Sequence, residues 1–200
     1  MYWRWGDKVR IFIDVGSYQG QTINRVLNPA FGVELIYGFE PSPSSYAILK
    51  RRFRKKRRRV RVFNFGLWSE NCTKTLYYEG TRGATILSDY VTIRKASEKD
   101  VECSFVKASD WFRDNLSFSD EIFLKLNCEG SECDIVNDLL DSREFSKLKA
   151  VLIDYDVRKS PSQRYKQKKL EKRLSKLNIT NVYKYMGKNR IEVLWRVMNG

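Results

Sequence analysis

Short apolar runs alternate with helix-like segments along the first third of the chain, and this alternation constrains the fold most strongly. The apolar runs at residues 10–15, 33–39 and 60–65 are rich in β-branched and aromatic side chains, which is typical of buried strands. Residues 19–27 and 46–57 lie between these runs and are predicted helices. This order predicts an α/β fold with a doubly wound, mostly parallel sheet.

The middle of the chain interrupts this alternation. Residues 73–78 and 101–107 have strand-like patterns and are joined by a polar segment that contains glycine. We therefore predict an inserted β-hairpin region at about residues 67–107.

After the insertion, predicted strands again alternate with predicted helices. These segments are 122–126 (strand), 131–140 (helix), 150–154 (strand) and 163–177 (helix). Two further runs, 181–186 and 191–197, flank a turn at residues 187–189 and predict a C-terminal antiparallel hairpin. We expect residues 1–200 to form one domain with a seven-stranded Rossmann-like sheet.

The sequence FIDVGSYQGQ, residues 12–21, is the first candidate ligand loop. Where a buried strand enters a helix, the free backbone N–H groups of the first helical turn can bind a ligand. Gly16 permits a tight turn and Gly20 a close approach, while Glu40 ends the second strand, where a carboxylate can accept ribose hydroxyls. The two glycines alone fit a ligand-free turn equally well, and Glu40 favours an adenosine-type ligand.

Tyr18 distinguishes between the adenosine-type ligands. It occupies the position of the second glycine in the dinucleotide fingerprint, where its bulk disfavours a pyrophosphate. No Gly-Lys-Ser/Thr follows, as a nucleoside triphosphate loop would require. S-adenosylmethionine keeps the adenosine but carries a methionine group instead of phosphates, so it suits this loop better.

Three motifs occur in order along the chain: 13–20 (IDVGSYQG), 39–43 (FEPSP) and 124–132 (LKLNCEGSE). Together with 64–69 (NFGLWS), they resemble those of the FkbM-type S-adenosylmethionine-dependent methyltransferases. The likeness covers roughly residues 10–155. It implies a class I methyltransferase fold, S-adenosylmethionine as cofactor, and O-methylation of a hydroxyl, often on a sugar or another small metabolite.

The resemblance and the predicted strand ends define the candidate binding residues. The donor-binding candidates are Asp14, Gly16, Ser17, Tyr18, Gly20, Glu40, Asn64, Gly66, Leu67 and Asn127. We expect acceptor contacts at Glu132, Asp154 and Asp156, of which the last two could equally cap the segment that follows.

The predicted catalytic residues are Glu129, Lys125 and Asn127. The chain has no histidine, which excludes Ser-His-Asp and Cys-His catalysis and imidazole-based zinc sites, and no metal ligands are assigned. We expect Glu129 to act as a base or to orient the acceptor hydroxyl, with Lys125 as its electrostatic partner. Lys125 could instead be a snorkelling strand residue, and Glu132 a carboxylate favoured by a helix dipole. Asn127 stands where the family usually has aspartate, and an amide cannot act as a base.

The net charge of +14 is concentrated in two basic stripes. Residues 50–61 carry ten basic groups and no acid, and residues 157–176 carry nine basic groups and one acid. The topology places the two helices on opposite faces of the sheet and the first stripe away from the ligand edge. The placement of the stripes disfavours a nucleic-acid acceptor, and the resemblance implies a hydroxyl-bearing small molecule or glycan instead. RNA methylation, or nucleic-acid binding alone, is the alternative.

The chain contains no run of about 18 apolar residues and begins without an apolar leader, so we expect a cytoplasmic location and reduced cysteines. Only nine residues precede the first predicted strand, too few to cover an acceptor site. We expect the cover to come from residues 67–120, from another subunit, or from a further domain of a longer protein.

Overall fold

The computed structural model describes residues 8–89, 99–187 and 189–200. Its strands are β1 (Arg10–Val15), β2 (Leu35–Phe39), β3 (Val60–Phe63), β4 (Gly66–Trp68), β5 (Cys72–Leu76), β6 (Val101–Lys107), β7 (Glu121–Leu126), β8 (Leu148–Ile153) and β9 (Val182–Lys184). Its helices are α1 (Gln21–Val26), α2 (Pro43–Phe53), α3 (Ala108–Asn115), α4 (Glu132–Asp141), α5 (Tyr165–Lys176) and α6 (Arg190–Asn199). Within these ranges, no helix has both the length and the apolar character needed to cross a membrane.

The central sheet has the order β3-β2-β1-β7-β8-β9, and each neighbouring pair is parallel. β1 and β7 are the middle strands, and their register runs from Arg10 opposite Glu121 to Val15 opposite Leu126. The strand order reverses direction between these two strands. The fold therefore confirms the predicted doubly wound, mostly parallel sheet. Sheets of this kind bind ligands at such a switch point, so this end of β1 and β7 is where a ligand site is expected.

Alternate residues of β1 face two separate hydrophobic cores. Ile11 and Ile13 pack in the core that α3, α4 and α5 cover. Phe12 packs in the opposite core, beneath α1, α2 and α6. Because helices cover both faces of the sheet, its inner strands are continuous apolar runs, which is why the sequence pattern located them.

The predicted insertion forms a second, smaller sheet with the order β4-β6-β5. β5 and β6 pair antiparallel, which confirms the two predicted hairpin strands. β4 pairs parallel with β6 and extends only from Gly66 to Trp68, too short a run to show a periodicity in the sequence. Residues 90–98 of the predicted joining segment lie outside the described residues.

The predicted C-terminal hairpin is wrong. β9 pairs parallel with β8, and residues 191–197 belong to helix α6. Leu194 and Met198, four residues apart, are buried, whereas Ile191 and Trp195 are exposed, which is the spacing of a helix with one buried face. The segment also has apolar residues at alternate positions, which is the pattern of a strand and the reason for the wrong prediction. The central sheet of the described residues therefore has six strands rather than seven.

Candidate active site

A cleft of about 910 Å³ opens at the carboxyl ends of β1, β2, β7 and β8, and we refer to it as the strand-end cleft. Its volume lies within the roughly 300–1,000 Å³ usual for small-molecule sites. The predicted site residues that line it are Gly16, Ser17, Tyr18, Glu40, Gly66, Leu67, Lys125, Asn127, Glu129 and Asp154. The predicted site residues outside its lining are Asp14, Gly20, Asn64, Glu132 and Asp156.

Gly16 joins the ends of three neighbouring strands. Its N–H and that of Ser17 donate to the carbonyl of Phe39 at the end of β2, over 3.1 and 3.0 Å. Its φ of +76° is in the left-handed region, and a Cβ built on it would lie 2.0 Å from the carbonyl oxygen of Asn127, just beyond β7. Only glycine fits this close approach without displacing backbone.

Lys125 stabilises the Gly16 turn through an ion pair and a hydrogen bond. Its Nζ lies 2.7 Å from Asp14 Oδ1 and donates to the carbonyl oxygen of Gly16 over 3.0 Å. Both side chains are buried, and burial raises the pKa of Asp14 against the opposing effect of the lysine. The Lys125 ammonium therefore binds the turn after β1. It is not the partner of Glu129, which pairs with Lys159 instead.

Glu40 follows β2 and is held in one orientation. Its Oε2 accepts from the Tyr18 N–H over 2.6 Å, and its Oε1 accepts from the Ser42 N–H over 3.0 Å. Asn64 Nδ2 donates to the backbone carbonyls of Glu40 and Pro41 over 3.0 Å each. Asn64 therefore fixes the backbone after β2 without lining the cleft itself. Burial raises the pKa of Glu40 to about 7, although the two backbone N–H groups oppose that shift.

The loop after β7 is shaped by Glu132, at the first position of α4. The Glu132 carboxylate accepts from the backbone N–H groups of Cys128 and Gly130, at 3.2 Å. Burial, followed by the nearby Asp156, raises its pKa to about 8. Glu132 therefore organises the loop, and the residue that the loop presents to the cleft is Asn127. Asn127 Oδ1 is buried without a hydrogen-bond partner among the described residues.

Glu129 lines the cleft from the same loop, with a positive φ of 52°. Its Oε2 lies 3.2 Å from Lys159 Nζ. Burial, and then the negative charge of Asp156, raise the pKa of Glu129 to about 8, while Lys159 acts against them. A carboxyl of this pKa can exchange a proton near neutral pH.

The two aspartates after β8 sit in a network of cations. Asp154 lines the cleft and pairs with Arg158, at 3.0 Å, and with Arg190 from α6. Asp156 pairs with Lys159 at 2.6 Å and with Arg158 at 3.3 Å, behind the lining. No group of three or more His, Cys, Asp or Glu side chains within the described ranges is arranged to hold a metal ion.

Gly20 serves packing in this structure. A Cβ at Gly20 would lie 2.4 Å from the Phe53 ring and 2.8 Å from the side chain of Leu49. The second glycine of the loop thus lets the start of α1 approach α2. The close approach predicted for Gly20 is therefore made to α2, and Gly20 lies outside the cleft lining.

Part of the cleft wall could not be predicted from the sequence motifs. The insertion contributes Thr81, Arg82, Gly83, Ala84 and Ile86. These residues reach the cleft because Thr85 Oγ1 donates to the Glu129 carbonyl over 2.5 Å and Leu87 packs on Gly130. Residues 67–120 thus supply cover for the cleft, one of the sources expected from the sequence. No local pattern signals these long-range contacts.

The two basic stripes occupy the predicted opposite faces. Leu49 and Phe53 pack α2 into one core, while Leu170 and Leu174 pack α5 into the other. No residue of 50–61 lines the cleft, whereas the second stripe contributes Arg158, Lys159 and Arg164. A continuous cationic channel from the first stripe into the cleft is therefore absent from the described residues.

A comparison with solved structures agrees with this architecture. The chain is similar to the crystal structure of the methyltransferase FkbM from Methylobacillus flagellatus KT, with a TM-score of 0.50 and 16% sequence identity. The chain has the fold of an FkbM-type methyltransferase. The similarity covers 88% of this chain and 39% of that chain, so the FkbM-type fold seen here spans well under half of that protein. No family model and no curated protein matches the sequence.

Replacing Gly16 by alanine tests the close approach of the β1 and β7 ends. Gly187 is a matched control, because its φ is +74° and no described atom lies within 4 Å of an added Cβ. We expect Gly187→Ala to cost about 1–2 kcal/mol of unfolding free energy for its left-handed backbone. Gly16→Ala should cost roughly 1–3 kcal/mol more, because its Cβ overlaps the Asn127 carbonyl. Urea unfolding measures both values, and equal losses would contradict the close approach.

Proposed function

We propose that the chain is an S-adenosylmethionine-dependent methyltransferase acting on a hydroxyl of a sugar, a glycan or a sugar-bearing metabolite. The observation that carries this proposal is the Glu40 carboxylate, fixed by two backbone N–H groups in the strand-end cleft of an FkbM-type fold. A carboxylate at the end of the second strand is where this class of sheet binds ribose hydroxyls. The preference for a sugar rests on the motif resemblance.

Two further residues fit this donor. Asn127 Oδ1 is buried, lines the cleft and lacks a partner among the described residues, so it can accept a hydrogen bond from a bound molecule. Tyr18 lines the same cleft where a pyrophosphate loop would need glycine. Glu40, Asn127 and the Gly16 turn would therefore hold the donor.

When bound, S-adenosylmethionine supplies a methyl group already activated by its sulfonium, so the chain mainly has to orient an acceptor and accept a proton. Glu129 is suited to the second task, because it lines the cleft and has a pKa raised to about 8. Lys159, 3.2 Å from Glu129, takes the role of electrostatic partner that the sequence assigned to Lys125. Lys125 instead keeps the donor loop in place through Asp14.

RNA methylation is the alternative function. It would be favoured by a basic surface continuous with the cleft, but residues 50–61 contribute nothing to the cleft lining. The residues of the second stripe that do reach the cleft, Arg158, Lys159 and Arg164, can serve a small acceptor as well as a polynucleotide. A small hydroxyl-bearing acceptor is therefore the simpler proposal.

Calorimetric titration with S-adenosylhomocysteine tests the donor site. We expect one-to-one binding to the wild-type chain. Glu40→Gln should weaken it by about tenfold or more, because one carbonyl oxygen cannot serve both the backbone N–H groups and the ribose hydroxyls. Glu70→Gln, at an exposed position outside the cleft, is the control and should bind normally. A folded wild-type chain that binds no S-adenosylhomocysteine would overturn the proposal.

Methyl transfer by Glu129→Gln tests the proposed base, once a screen of hydroxyl acceptors with labelled donor has found a substrate. The wild-type rate should rise with pH through an apparent pKa of about 8, because Glu129 must lose its proton before it can accept one. Glu129→Gln should lower the rate roughly 100-fold or more and abolish that pH dependence. Its S-adenosylhomocysteine affinity should stay unchanged. Undiminished turnover would eliminate Glu129 as the base.

A further inference from the structure

We propose that the acceptor carries an anionic group, a phosphate or a carboxylate, which Arg82 and Arg164 bind at the mouth of the strand-end cleft. This inference rests on the proposed function, because it specifies the class of acceptor that the same cleft would take. It depends on the distribution of charge around the cleft, which neither the motifs nor the fold determines.

Cationic side chains outnumber carboxylates in the cleft lining. The cationic residues are Arg82, Lys125, Arg158, Lys159, Arg164 and Arg190. The carboxylates are Glu40, Glu129 and Asp154. This excess of positive charge can attract an anion only if some of the cations lack a carboxylate partner, either in the lining or behind it.

The inner cations of the cleft are neutralised. Lys125 pairs with Asp14, Arg158 and Arg190 share Asp154, and Lys159 bridges Glu129 and Asp156. Arg158 also contacts Asp156. The inner part of the cleft is therefore close to charge balance, which suits the binding of neutral hydroxyls and of a donor with no phosphates.

Arg82 and Arg164 differ from these inner cations. Both are exposed, and neither forms a salt bridge with a carboxylate among the described residues. The Arg82 guanidinium lies over the Tyr18 ring, with its Cζ 5.8 Å from the ring centroid. This places one uncompensated guanidinium beside the proposed donor loop, where it can reach a bound molecule.

The two arginines belong to chain segments that are fastened together. Asp89 accepts from Ser160 Oγ over 2.5 Å and from the Ser162 N–H over 2.8 Å. These bonds tie the insertion that carries Arg82 to the segment that leads into Arg164 at the start of α5. The arginines thus line one cleft from two segments that these hydrogen bonds join, and we refer to this part of the lining as the cleft wall.

This wall matches the chemistry of a small anion. A guanidinium presents a planar set of donors that pairs with two oxygens of a phosphate or a carboxylate at once. A neutral sugar offers no charge to such a group, whereas an acidic sugar would be oriented by it. An anionic group on the acceptor would therefore turn its hydroxyls towards the inner cleft, where Glu129 lies.

The test compares the binding of glucose, glucuronate and glucose 6-phosphate, which share a ring and differ in charge. Calorimetric titrations use the full chain with S-adenosylhomocysteine present, at low and at physiological salt. We expect at least one acidic sugar to bind about tenfold or more tightly than glucose. The two acidic probes distinguish a carboxylate from a phosphate as the recognised group, and added salt should reduce the preference.

Variants assign this preference to the two arginines. Arg82→Gln and Arg164→Gln should each reduce the acidic-sugar affinity several-fold, and the double variant should bind glucose and its acidic relatives alike. Arg51→Gln, exposed in the first basic stripe and outside the cleft, is the matched control and should keep the preference.

The outcomes separate this inference from the proposed function. Equal binding of glucose and both acidic sugars by the wild-type chain would overturn the inference, even where S-adenosylhomocysteine binds normally. A preference that persists in the double variant, or that Arg51→Gln removes, would overturn it as well. Loss of the preference in the double variant, on a chain that fails to bind S-adenosylhomocysteine, would support the anion site while refuting the proposed donor.

Discussion

The strand-end cleft depends on one buried ion pair, between Lys125 Nζ and Asp14 Oδ1. The pair joins the two middle strands of the sheet at their carboxyl ends, and the same ammonium holds the carbonyl of Gly16. Removing one partner of such a pair leaves a buried charge uncompensated and typically costs about 3–5 kcal/mol. The Gly16 turn and its contact with Asn127 therefore share this electrostatic support, in addition to the hydrogen bonds from Gly16 and Ser17 to the Phe39 carbonyl.

Burial of the side chains around the cleft also sets its acid–base properties. Desolvation is the largest cause of the raised pKa values of Glu40, about 7, and Glu129, about 8. Carboxyl groups with such shifts, gathered in one cleft, are found preferentially at functional sites. In a chain without histidine, burial gives carboxyl groups the proton affinity that imidazole provides elsewhere.

The parts of the molecule that the sequence predicts well are those whose local pattern and environment agree. β1 and β7 are buried on both faces, so their apolar runs identify them, and Gly16 and Glu40 follow from the ends of such strands. The same pattern gave the wrong prediction for helix α6. Its alternating apolar residues fit a strand, but the packing of Leu194 and Met198 in the core selects a helix. Arg82 reaches the cleft only through contacts such as that of Thr85 with Glu129, which are distant in sequence and carry no motif.

We propose that this end of the sheet binds the adenosine part of a methyl donor. A crystal structure of the chain with S-adenosylhomocysteine tests it most directly, through the distances from the ribose hydroxyl oxygens to the Glu40 carboxylate. We predict hydrogen bonds of roughly 2.5–3.0 Å between them, with the ligand also contacting Asn127 Oδ1. A ligand bound elsewhere, or a ribose out of reach of Glu40, would contradict the proposed donor site.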